Sequence, residues 1–81
     1  MTQTFLQEQA CVRLATIRDT AEHLIRMTDR CKSLVEKGLA VDVSGLKAHT
    51  VVAQYAELMA MNGTTIRLCA DALSTSLREI T

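Results

Sequence analysis

Apolar residues in the first half of the chain recur in alternating steps of four and three. From Ala10 the series is Ala10, Leu14, Ile17, Ala21, Leu24, Thr28, Cys31 and Val35, with Thr28 its one polar member. That spacing keeps a single face of an α-helix apolar. The opposite face carries Glu8, Asp19, Glu22, Arg26, Asp29, Arg30 and Glu36, a solvated side. Gly38 follows Lys37 directly. The pattern therefore predicts a helix over about 5–37, closed by a glycine cap with a base in its last turn and Leu39 available for the cap's apolar contact.

Residues 38–45 read as a loop, in which Asp42 or Ser44 offers a side-chain oxygen to the first free N–H groups of a second helix. That helix is expected over about 46–79. Its stripe is Ala48, Val52, Tyr55, Met59, Asn62, Ile66, Cys69, Leu73, Ser76 and Ile80. Asn62-Gly63 is a turn-type pair, and a break there gives three helices. The stripe crosses it without slipping phase, which favours one helix with a weak point at Gly63. Asn62 reads either as an edge or bend residue or as a polar core group that fixes helix register. The fold class is then all-α and one domain, 1–81: two antiparallel arms, each roughly 50 Å long, in a helical hairpin.

The second helix is apolar beyond its stripe. Val51, Leu58 and Ala72 flank it on one side and Ala56, Ala70 and Leu77 on the other, while Ala53, Ala60, Met61 and Leu68 continue around the back. Between Ala48 and Ile66 the only formal charge is Glu57. A helix with one neighbour needs an apolar stripe about a third of its circumference wide. The surplus predicts self-association, as a four-helix dimer or a larger array. Val52, Tyr55, Met59, Asn62, Ile66, Cys69, Leu73, Leu77 and Ile80 are the residues expected to carry it.

Composition removes other classes. The chain has 81 residues, 48% of them hydrophobic, with 9 Lys+Arg against 9 Asp+Glu. So small and so apolar a chain leaves the question of what covers its surface. The balanced charge gives no field for nucleic acid, and the bases Arg13, Arg18, Arg26, Arg30, Lys32 and Lys37 are interleaved with acids as a solvated face. One Phe, one Tyr and no Trp leave little for base stacking. Cys11, Cys31 and Cys69 are odd in number and lack metal-ligand spacing, and are expected as small buried apolar residues. His23 and His49 have no ligand-type neighbour one turn away and are expected at helix edges. No phosphate loop or nucleophile motif is present, so no enzyme, catalytic residue, metal or cofactor is expected. Neither a signal peptide nor a membrane span is expected, which predicts synthesis in the cytoplasm and any export by a route without a cleaved signal.

The run from Tyr55 to Asp71 resembles the C-terminal helix of the type III secretion needle proteins. That family is similar in placing an aromatic, then Asn or Gln seven positions on, a small-polar cluster, a β-branched residue, a base and an Asp. Here those positions are Tyr55, Asn62, Gly63 to Thr65, Ile66, Arg67 and Asp71, with Leu73, Leu77 and Ile80 in the tail. Phe5 stands where the family often has an aromatic. Ala70 stands where it usually has Lys, and the loop lacks the family's prolines. An inner-rod subunit is the related alternative. The resemblance implies a secreted structural subunit whose copies stack around a conduit for unfolded proteins. In it the second helix would pack inward, and Arg67, Asp71 and Arg78 would line or border the lumen. The implied partners are further copies and other secretion-apparatus proteins or chaperones, with no nucleic acid and no membrane insertion. The alternative function is a small cytoplasmic dimeric adaptor, a secretion co-chaperone or anti-activator, that binds one protein through a leftover groove.

Overall fold

The computed structural model describes the backbone of residues 3–80 and the side chains of residues 4–79. Two helices, α1 (Gln3–Lys37) and α2 (Ala48–Ile80), pack antiparallel as a helical hairpin of 56 × 18 × 14 Å. The helix α2 runs through Asn62-Gly63 without a break. A mid-helix glycine costs about 1 kcal/mol relative to alanine, too little to interrupt an apolar face that stays in phase.

The loop differs from the expected side-chain cap. Gly38, at φ 108°, ends α1 and donates its N–H to the Val35 carbonyl at 3.1 Å. A two-stranded ribbon follows: β1 (Asp42–Val43) and β2 (Leu46–Lys47), with Asp42 opposite Lys47 and Val43 opposite Leu46. Ser44 (φ 51°) and Gly45 (φ 83°) make its two-residue turn. Positive φ at both central positions is the type I′ geometry that suits strand twist. Neither Asp42 nor Ser44 caps α2. Its first N–H groups are taken by loop carbonyls instead, Ala48 donating to Val41 at 2.8 Å and His49 to Leu39 at 3.1 Å. Asp42 pairs with Lys47 at 3.1 Å. Ser44→Asn creates the Asn-Gly pair that this turn prefers and is expected to raise the melting temperature. Gly45→Val should lower stability by about 1–2 kcal/mol, because a β-branched residue is strained at positive φ. Circular dichroism melts check both signs.

The seam between the arms follows a seven-residue repeat on each helix. On α2 it is the expected stripe: Ala48 and Ser76 are buried, and Val52, Tyr55, Met59, Asn62, Ile66, Cys69 and Leu73 are half-buried. On α1 the expected stripe is half right. Ala10, Ile17, Leu24 and Cys31 face α2, but their partners in the seam are Leu6, Arg13, Thr20, Met27 and Leu34. Leu14, Thr28 and Val35 lie outside it and are exposed, while Ala21 is half-buried at its edge. The two choices share alternate members and differ by one residue in the others. The arms meet where Thr28 Oγ1 lies 3.5 Å from Met59 Sδ at the seam's margin.

Arg13, expected on the solvated face with the other bases, occupies the seam. It is half-buried, and its Nε is shut from solvent without a hydrogen-bond partner. An unsatisfied buried donor costs roughly 1–3 kcal/mol. Arg13→Met keeps the length of the side chain and removes that donor. It should stabilise the hairpin by about 1 kcal/mol, or roughly 4–8 °C in melting temperature for a chain of this size. A melt that moves down would mean that the guanidinium's other contacts outweigh the orphaned donor.

Candidate functional site

With α1 packed against it, α2 still presents three sides. The heptad geometry places one flank on each side of the seam, turned from it by about 100°, and a ridge opposite it. The first flank carries large side chains: Leu58 is 46% exposed, Met61 64% and Leu68 63%. The second flank is built from small residues, Ala53, Ala56, Ala60, Gly63 and Ala70, all exposed, with Leu77 at its end. The ridge holds Glu57, Thr64, Asp71 and Arg78, all exposed. Arg67 stands at the edge of the small flank, beside the ridge.

The residues expected to carry self-association are thus divided. Val52, Tyr55, Met59, Asn62, Ile66, Cys69 and Leu73 line the hairpin's own seam. Leu77 is exposed on the small flank, and the side chain of Ile80 lies outside the described residues. Asn62 makes no side-chain hydrogen bond among the described residues. The exposed apolar surface of α2 belongs to the flanking rows, and α1 exposes Phe5, Val12, Leu14, Ile25 and Val35 besides. Both rows are legible in the sequence as additional heptad series beside the main one.

The helices also differ in how they use charge. On α1 the charges pair along the helix: Arg18 with Glu22 at 3.2 Å, Arg26 with Glu22 at 4.0 Å, and Lys32 with Glu36 at 3.9 Å. On α2, neither Glu57, Arg67 nor Asp71 takes part in an ion pair among the described residues. Arg67 and Asp71 are one turn apart, yet they do not join.

Other chemistry is sparse. No group of three His, Cys, Asp or Glu residues could hold a metal among the described residues. His23 and His49 are exposed, on different arms. Of the three cysteines, all free, Cys31 is buried and Cys69 half-buried, whereas Cys11 is exposed, against the expectation that all three are buried. Cys11 sits one residue past Ala10, just outside the seam. The surface depressions are furrows, such as the one of about 330 Å³ along α1 lined by Phe5, Glu8, Gln9, Val12 and Arg13. No helix among the described residues is long and apolar enough to cross a membrane. Searches against protein-family models, curated proteins and solved structures find no match to the chain.

Proposed function

We propose that this hairpin is the structural subunit of a self-assembled helical filament of the secretion-needle type, a conduit for unfolded secreted proteins. One observation carries the reading: α2 remains apolar on both flanks after its own partner arm is in place. A helix apolar over most of its circumference is buried by more than one neighbour. Large exposed apolar patches mark interaction surfaces. Two flanks on opposite sides of one helix supply two contacts per copy, which is the minimum for a chain of copies. The Tyr55 to Asp71 run, which resembles the needle family, adds the secretion context.

In such an array the ridge of Glu57, Thr64, Asp71 and Arg78 lies between the two contacts and stays open. It offers a mixed-charge, hydrated track to a passing polypeptide, without a long apolar strip for it to stick to. Of the three residues considered for the lumen, Asp71 and Arg78 belong to that ridge and Arg67 to its border.

The purified chain should form fibres or large helical assemblies above a critical concentration, seen by negative-stain microscopy and by sedimentation. Discrete dimers at millimolar concentration, with no fibres, would sink this reading and favour the dimeric adaptor.

A further inference from the structure

We infer that copies of this chain join through unlike flanks of α2: the large row Leu58, Met61 and Leu68 of one copy packs into the small row Ala56, Ala60, Gly63 and Ala70 of the next. The inference rests on the self-assembly reading and says which surfaces meet.

Area gives the first argument. The hairpin exposes 5884 Å², where a compact protein of its mass would expose about 4,800 Å². The difference, roughly 1,100 Å², covers the roughly 800 Å² that one copy contributes to one standard interface and about two thirds of the roughly 1,600 Å² that two such contacts would take. Among the described residues no large side chain is fully buried, Leu6, Met27 and Leu34 each keeping 6% of their exposure, so the hairpin's own core is thin.

Size complementarity gives the second. Met61 and Leu68 are the most exposed large apolar residues of α2 and sit two turns apart on one flank. On the other flank, alanines and a glycine recur at heptad spacing, with Arg67 at the border between Gly63 and Ala70. Helix axes approach to about 8 Å only where contact side chains are small. Large against small fills space, whereas large against large holds helices apart and small against small leaves voids.

Gly63 gives the third. A Cβ at this position would meet no heavy atom within 4 Å, and its backbone is ordinary helix. Nothing in its own chain asks for glycine there, although glycine weakens the helix. A neighbouring side chain seated over it does ask for it.

Charge fits the same geometry. Unlike flanks meet with copies pointing the same way, which brings the ridge of one copy beside the border of the next. Arg67 at that border then comes beside one ridge acid of its neighbour, Asp71 when the copies are nearly level along α2 and Glu57 when they are staggered by about 15 Å, both groups left unpaired within one chain. A contact between unlike surfaces also propagates, as a ring or an open helix, and does not stop at a dimer.

Cross-linking tests the pairing directly. In a background carrying Cys11→Ser, Cys31→Ala and Cys69→Ala, one chain bears Met61→Cys. A second set bears Ala53→Cys, Ala56→Cys, Ala60→Cys or Ala70→Cys, spanning the small row. Under mild oxidation, disulfide-linked pairs should form when Met61→Cys is mixed with at least one small-row variant, and not in the Met61→Cys chain alone. Strong cross-linking of Met61→Cys to itself would mean a two-fold contact and overturn the inference. Assemblies without any such cross-link would overturn the inference and leave the filament reading standing. Failure of the wild-type chain to associate would overturn both.

Gly63→Leu supplies a second readout with opposed signs. The dilute chain should gain helix and melt roughly 4–8 °C higher, while the critical concentration for assembly rises roughly tenfold or more. Unchanged assembly alongside the raised melting temperature would mean that no side chain sits over Gly63, and the inference would fail.

Discussion

Leu34→Ala should lower the melting temperature by roughly 10–20 °C, whereas Leu14→Ala should move it by only a few degrees. Leu34 is 6% exposed in the seam, and Leu14 is 52% exposed on the side of α1. Truncating a buried leucine removes its transfer energy and leaves a cavity, together about 2–5 kcal/mol. A long two-helix hairpin relaxes into such a cavity more readily than a globular core, which places Leu34→Ala at about 2–3 kcal/mol. At roughly 4–8 °C per kcal/mol for a chain of this size, the expected shift follows. Folded chains of this length are stable by roughly 4–12 kcal/mol in all, so this one side chain is a large share. Parallel urea melts by circular dichroism check the pair, with m unchanged in both. The reverse order, with Leu14→Ala the more damaging, would mean that the seam runs along the stripe read from the sequence, and equal effects would mean that neither leucine is preferentially packed.

That comparison also locates what the sequence displays and what it conceals. The stripe of α2 was readable because its neighbours in phase are all apolar, small or neutral, so one series stands out from Ala48 onward. On α1 two series share Ala10, Ile17, Leu24 and Cys31. One continues through Leu14 and Val35, the other through Arg13, Thr20, Met27 and Leu34. By hydrophobicity alone the first is the better stripe in its early part, since Arg13 and Thr20 look like surface residues. Packing decides otherwise: a supercoiled partner follows a strict seven-residue seam, and the series through Leu6, Met27 and Leu34 satisfies it along the whole arm. Arg13 is carried into the seam by its neighbours, at the expense of one unsatisfied donor. The loop escaped for a different reason. Gly38 is a cap by rule, but the ribbon of Asp42 to Lys47 depends on Ser44 taking a positive φ, which serine tolerates without advertising. The carbonyls of Leu39 and Val41 then do the capping that a side chain was expected to do. The apolar surplus of α2, in contrast, was visible from the start, and the hairpin leaves it uncovered.

Met61→Lys combined with Leu68→Lys should abolish assembly while leaving the helical spectrum and the melting temperature of the dilute chain close to wild type. Both side chains are more than 60% exposed, so the hairpin loses little packing when they change. Burying each in a contact contributes about 1.5–3 kcal/mol. Losing both raises the critical concentration at least a hundredfold, before the added repulsion is counted. Repulsion needs its own control, since the chain starts at a net charge of zero and the pair adds two positive charges. Val12→Lys with Ile25→Lys is matched: these residues are 65% and 60% exposed, but on α1 and between three and four turns apart, Val12 beside Phe5 and Ile25 beside the Glu22–Arg26 pair, so that they form no continuous row. Isolated exposed apolar residues are ordinary on protein surfaces. The control pair should therefore raise the critical concentration only by the general charge effect, severalfold and removable by salt. The α2 pair should remain defective in salt, because what it lacks is apolar area. If the two pairs behave alike, the association runs on net charge or through α1, and the flanks of α2 are not the assembly surface.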